Sequence, residues 1–268
     1  MPIATLSDYK TRLNSFNREI IPFNFNTTSL GLFMQGNILS VPAYTAPAAA
    51  PGAAPTNSTN GFLQFNNPTS KTLLLIGAEL NSASPASLTL IDVLSHLAGL
   101  SGTITGVQGT SSAALTRYTD GIGVKLALSI HAQIGTTATT FTLSYTNSSD
   151  VAGRQSPLVA IGGTTLRDIG RFIPIPYFGD DIGVKSVQST TLTATTGTAG
   201  SFGFTFYKPL AGLVIKGTQN ETQYCNLING GLSNTAVIPP NSALTFIIRT
   251  ASIASGNLSG HLILTEVD

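Results

Sequence analysis

Chemistry at a protein site needs titratable or nucleophilic side chains that converge, and this sequence spaces few of them to do so. Its three histidines, His96, His131 and His261, stand 35 and 130 residues apart, with no His-x-x-x-His pair and no adjacent Glu, so a hydrolytic zinc site has no support. Gly99-Leu-Ser101-Gly102-Thr103 is the nearest approach to a nucleophile elbow, and its second glycine comes one place early. Cys225 sits in QYCNLI with no neighbouring cation to lower its pKa, which reads as a structural thiol. Asp180 and Asp181 are the one adjacent acidic pair and could hold a hard cation. Calcium asks for more oxygens than two carboxylates supply, so a turn is the favoured reading. Asp120 before Gly121 mirrors that position, as a repeated turn would.

No phosphate loop and no Gly-x-Gly-x-x-Gly opening a helix is present, which leaves nucleotides without a foothold. Arg154, Arg167 and Arg171 are the densest basic group, but Asp150 and Asp168 accompany them; inter-strand or intersubunit pairs are the expected use. Tyr44, Tyr118, Tyr145, Tyr177, Tyr207 and Tyr224 could serve a carbohydrate reader as platforms, and equally fill a β-sandwich. No catalytic residue, cofactor or metal is expected, and no enzyme.

The elements that would carry these residues are mostly strands. Short runs rich in Thr, Val, Ile, Leu and Phe, broken by Gly, Asn, Ser and Pro, follow from Gly61 onward. Strands are expected at 61–66, 71–80, 124–132, 140–146, 184–193, 201–208, 213–216, 243–251 and 258–267. The segment Leu88 to Leu97 fits a short helix or extended chain, with the strand slightly preferred. Ile122-Gly123-Val124-Lys125 and Ile182-Gly183-Val184-Lys185 each lead into a strand, a Thr/Gly/Ala turn and a second strand, an internal echo that predicts two similar hairpins.

Ahead of this lies a different texture. Tyr9, Leu13, Phe16 and Ile20 fall at helical spacing, with Ser7 placed to cap and Pro22 to stop, so a helix is expected over 8–20. Its apolar face either packs on its own domain or docks on a neighbouring subunit. Residues 42–60, with four prolines and no charge, read as a flexible linker or loop. The chain therefore divides into an N-terminal helix and arm (1–41), the linker (42–60) and a β domain (61–268) that could hold two related sub-domains. The fold class is all-β, an antiparallel β-sandwich or jelly roll with a short N-terminal helical arm.

Composition narrows the function classes. With 268 residues, 13 basic and 12 acidic side chains and only 9% charged, the chain can bury a real core but has no global field to gather nucleic acid. The charged fraction is far below the roughly 25% of an ordinary soluble domain, which suggests surface covered by another subunit. The lone cysteine rules out an internal disulfide. The first twenty residues carry Asp8, Lys10, Arg12, Arg18 and Glu19 where a secretion signal would be apolar, and 71–80 is too short to span a bilayer, so no membrane partner is expected.

Three strings resemble a known group. Leu88 to Thr103 (LTLIDVLSHLAGLSGT), Ala114 to Val124 (ALTRYTDGIGV) and Phe141 to Asn147 followed by Ala152-Gly153-Arg154 resemble, in this order, virion proteins of tailed bacteriophages encoded among head and structural genes. The likeness runs through residues 71–212 and carries no catalytic residue. It implies a virion component, assembled in the host cytoplasm, whose partners are the major capsid protein or other virion proteins and further copies of itself. A capsid decoration or cement protein, as a homotrimer, is the favoured role, with Tyr9, Leu13, Phe16 and Ile20 as its contact residues. A tail, neck or baseplate component and a host-surface carbohydrate-binding module stand as alternatives.

Overall fold

The computed structural model describes residues 18–27, 35–37, 51–82, 85–215, 222–226, 236–250 and 256–267. Within them the regular structure is all strand: β1 (Arg18–Thr27), β2 (Gln35–Asn37), β3 (Thr72–Ser82), β4 (Ala86–Leu100), β5 (Val107–Gly109), β6 (Lys125–Ala132), β7 (Thr139–Asn147), β8 (Arg154–Gln155), β9 (Val159–Ile161), β10 (Phe172–Pro174), β11 (Val184–Leu192), β12 (Ser201–Ile215), β13 (Gln223–Asn226), β14 (Ala236–Ile238), β15 (Leu244–Thr250) and β16 (Gly256–Val267). They pair antiparallel in three sheets. A central sheet runs β10-β6-β12-β4-β15-β2; one flanking sheet runs β1-β16-β3-β13 with β14 also on β3; the other runs β5-β11-β7-β8 with β9 also on β7.

The two 15-residue strands of the central sheet explain the architecture. At one end β4 and β12 give Leu88, Leu90, Leu213 and Ile215 to a core shared with Ile21, Phe23, Leu75, Leu80, Leu262 and Leu264 of the first flanking sheet. At the other end they give Leu94, Leu97, Phe202, Phe204 and Phe206 to a second core, closed by Phe141, Leu143, Tyr145, Val184 and Val187 of the second. The protein is thus an antiparallel sandwich in which one sheet serves two partners. The edge strands β10 and β2 approach each other, so the central sheet curls around a third, smaller cluster that includes Phe62, Ile91, Val93, Phe172 and Tyr207.

The strand preference for Leu88 to Leu97 holds, because β4 is paired on both sides, by β12 and β15. A strand buried on both faces shows no two-residue period, which is why the sequence left it ambiguous. The runs expected at 201–208 and 213–216 belong, as far as Ile215, to one strand that continues through Pro209. β6 pairs β12 only as far as Tyr207, so the missing N–H of Pro209 deserts no partner there. Residues 61–66 form no strand; Leu63 makes a single bridge to Leu244.

The expected N-terminal helix is corrected where it can be seen. Residues 8–17, with Tyr9, Leu13 and Phe16, lie outside the described residues. Arg18 to Ile20 belong to β1, which pairs with β16 along its length, Ile20 opposite Ile263. Ile21 and Phe23 face the core while Ile20 and Pro22 face out, so a two-residue alternation overrides the helical spacing. Pro22 sits within an edge strand, where proline is tolerated, and does not stop a helix. Of the segment read as a linker, residues 51–60 are described. Ala53 exchanges both main-chain bonds with His96 on the side of β4 that β15 vacates, and Pro55 and Asn57 are buried.

The internal echo is real but is not a pair of hairpins. The strands of each unit lie in different sheets, and the pairing is reciprocal: β6 with β12, and β7 with β11. The leading segments also meet, Ile122 bridging Gly183, and the turns join through Thr137 N–H to Thr196 O at 3.0 Å. This is the pattern an approximate internal two-fold produces, each unit arching over the core rather than folding back on itself. Gly183 marks the crossing, since a Cβ there would run into the carbonyl oxygen of Gly121. Gly183→Ala is therefore expected to cost about 1–3 kcal/mol, as overpacking does. A melting curve matching the parent would remove the crossing as a constraint.

Candidate functional site

Titratable groups converge at three places, each on strands of the central or second flanking sheet or on the loops beside them. The first is a chain of polar side chains inside the curl of the central sheet. Ser129 of β6 and Thr205 of β12 share a hydrogen bond at 2.8 Å; Thr205 Oγ1 lies 2.7 Å from His96 Nδ1, and His96 Nε2 lies 3.1 Å from His131 Nε2. The rings meet edge to face, 4.8 Å between centroids. Register places these residues together: His96 pairs with Thr205, and Ser129 and His131 lie on neighbouring β6. Burial, reinforced by the neighbouring ring, holds His96 well below the ordinary histidine value, and burial brings His131 down to about 4. Both rings are neutral near pH 7, and one N–H fills the gap between the two Nε2 atoms. A hydroxyl beside a histidine is the arrangement of an activated nucleophile. Thr205 and His96, however, are completely buried, so no substrate reaches either.

The second place is a buried ion pair. Arg117 donates from Nε to Asp92 Oδ2 at 2.9 Å and from Nη2 to Oδ1 at 2.8 Å, while Ser242 Oγ and Ala243 N–H donate to the same carboxylate, each at 2.9 Å. Burial pushes the Asp92 carboxyl up, opposed by these four donors. Arg117 Nη2 also reaches Val93 O at 2.9 Å and Pro55 O at 3.4 Å. The pair ties the 51–55 segment, the loop before β6 and the start of β15 to β4. With every carboxylate lone pair engaged, it is a fastening and offers nothing to a ligand.

The third is centred on Asp181, one of the acidic pair. It accepts from Tyr145 Oη and Asn147 Nδ2, both at 2.6 Å, and from Arg154 Nε and Nη2 at 3.0 and 3.1 Å. Arg154 foremost holds the carboxyl down, at about 2. Tyr145 Oη accepts in turn from Phe178 N–H at 2.9 Å, and the Arg154 guanidinium covers the Phe178 ring at 4.5 Å. Asp181 is thus consumed in clamping the 176–183 loop to β7 and β8, the work of a turn.

The remaining sequence candidates are scattered. Arg167 and Arg171 both lie against Asp168, at 3.8 and 3.5 Å. His261 is exposed, 3.7 Å from Glu79, and Cys225 on β13 packs partly buried against the first core. Among the described residues no three His, Cys, Asp or Glu side chains gather to hold a metal. Of the contact residues expected from the sequence, Ile20 is described, and it is 57% exposed on edge strand β1.

Sequence reasoning did not single out four exposed apolar side chains that the structure places on neighbouring loops. Ile122, Val151, Phe178 and Ile182 all stand about half exposed. The Ile122–Gly183 bridge, the bond from Ser148 N–H to Gly183 O and that from Val151 N–H to Asn147 Oδ1 bring their three loops together. The signal was available in the repeated Ile-Gly-Val-Lys, which puts an isoleucine at the same turn twice.

No protein-family model matches the chain, and no curated protein does. Among solved structures, the VP2 subviral particle of infectious bursal disease virus matches at 9% identity and a TM-score of 0.21, over 94% of this chain and 81% of that one. The Gx strain of the same virus matches at 8% identity and a TM-score of 0.24, over the same shares. TM-scores of 0.21 and 0.24 carry no argument about this chain.

Proposed function

We propose that this chain is a structural component of a bacteriophage virion, a capsid decoration or cement protein that stabilises the shell through many small subunit contacts and acts without catalysis. One observation carries the reading: the convergent ionisable groups described above are engaged with one another, while Ile122, Val151, Phe178 and Ile182 are each about half exposed on three loops that main-chain bonds bring together. Apolar clusters rimmed by polar residues mark contact surfaces. Here Asp120, Asp150 and Asp180 supply polar neighbours in the same loops, and Lys185 another at the start of β11. The resemblance of residues 71–212 to tailed-phage virion proteins supports the class, and the 9% charged composition supports a surface meant to be covered. A subunit that binds assembled shell in preference to loose capsid protein stabilises by mass action. Self-association as a homotrimer belongs to the proposal, and the exposed Ile20 on β1 is a second contact.

The test is co-sedimentation of the full chain with empty shells of its own virus, alongside Ile122→Asp and Ile182→Asp. The full chain is expected to pellet with shells and each variant to lose about thirtyfold in affinity at unchanged melting temperature, the lower bound of an interface hot spot. Failure of the parent to pellet overturns the capsid assignment; immunogold label confined to the tail would select a tail component instead.

A further inference from the structure

We infer that the groove between the start of β1 and the 57–66 segment is a binding site for a neutral, hydroxyl-rich ligand, a carbohydrate. The inference goes beyond the virion assignment and does not rest on it. The groove has a volume of about 380 Å³ and is lined by Glu19, Asn57, Ser58, Gln64, Phe65 and Asn66. That volume lies at the lower end of the range for small-molecule sites.

Its polar groups are fixed before any ligand arrives. Asn57, only 9% exposed, donates from Nδ2 to Phe65 O at 2.6 Å and to Asn67 Oδ1 at 3.4 Å. Asn67 is itself held by Asn241, which donates from its main-chain N–H at 2.8 Å and accepts from Asn67 Nδ2 at 2.7 Å. With both directions of its amide N–H₂ engaged, Asn57 has its Oδ1 left to accept. Ser58 sits in a tight turn, its hydroxyl sharing a bond with Thr56 Oγ1 at 2.9 Å while Thr59 N–H bonds Thr56 O at 3.0 Å. On the other side Glu19 Oε1 takes both Asn66 N–H at 2.8 Å and Asn66 Nδ2 at 3.1 Å, which leaves Oε2 to accept. Gln64 is exposed and offers an acceptor and two donors. Phe65 anchors the segment by burying its ring in the first core.

The ligand class follows from this inventory. Fixed acceptors beside adaptable amide donors match hydroxyl groups, each of which both donates and accepts. Phosphate and sulfate are disfavoured, because the described lining residues include a carboxylate and no Lys or Arg. A peptide could reach the groove only along the open edge of β1, and it would find no apolar pocket for its side chains among the described lining residues, since Phe65 is already buried in the core. Because the groups are held in place by main-chain and amide bonds, little ordering cost falls on binding.

The test is an array of neutral oligosaccharides, with sulfated glycans in parallel, probed with the full chain and with Gln64→Ala and Glu19→Gln. Gln64 is exposed, and Glu19→Gln keeps the acceptor that Asn66 uses, so neither variant has reason to unfold, and melting temperature monitors both. The expected result is binding to at least one neutral glycan, weakened about tenfold in each variant. No neutral binder, a preference for sulfated glycans, or equal binding by the variants would each overturn the site. Shell binding is measured separately, so failure here is distinguishable from failure of the virion assignment.

Discussion

Arg117→Ala is expected to lower the unfolding free energy by about 3–5 kcal/mol, the cost of leaving a buried carboxylate without its cation. Asp92 would keep only Ser242 and Ala243 as donors in a site with no exposure to water. The loss would extend beyond the ion pair, because Arg117 also holds the carbonyls of Pro55 and Val93. Urea unfolding measures it directly. The double variant Asp92→Leu with Arg117→Met separates the two ideas in play: a buried pair replaced by apolar groups of similar size is often neutral, so the double variant should recover much of what the single one loses. A single variant within about 0.5 kcal/mol of the parent, the range of ordinary surface changes, would show that the pair fastens nothing.

The second large effect is acid lability from buried His96 and half-buried His131. In the unfolded chain His131 takes up a proton near its ordinary value of 6.5, whereas in the folded protein it does so only at about 4. The unfolded state therefore binds more protons between those values. Stability is fully present above pH 6.5, falls as the pH drops toward 4, and levels off below, a loss of roughly 3 kcal/mol from His131. His96, also held down by burial and by its neighbour's charge, adds to the loss in the same direction. Asp181 contributes in a lower window: its stabilisation is present above about pH 3.8 and disappears as the pH falls toward 2. The two windows barely overlap, so urea midpoints taken from pH 7.5 to 4 report the histidines. His131→Gln should flatten that limb. A parent midpoint constant down to pH 4.5, or a variant with the parent's slope, would contradict the reading.

What the sequence made legible was local. Strands with a clean alternation, such as 140–146 and 258–267, lie where their period put them, since one face meets a core. The echo at Ile122 and Ile182 was visible, but its meaning was not, because which strands pair depends on long-range register that a turn sequence does not encode. The helix expected to end at Ile20 failed at its described end, where pairing with β16 outweighs spacing. The polar clusters were hidden for a similar reason: His96 and His131 are 35 residues apart and meet through neighbouring strands, and Asp92 and Arg117 are 25 apart and meet where the loop before β6 crosses β4. One signal could have flagged them. A charge and a histidine inside the apolar run Leu88 to Leu97 must each find a buried partner, and they do.

The claim on which the functional account turns is that this chain spends its surface on other virion parts. Imaging of intact virions at a resolution that shows strands tests it most directly. The account predicts density for the three-sheet sandwich on the outside of the shell, at symmetry-related positions, with Ile122 and Ile182 turned toward capsid subunits. Purified virions that lack the chain altogether would contradict it.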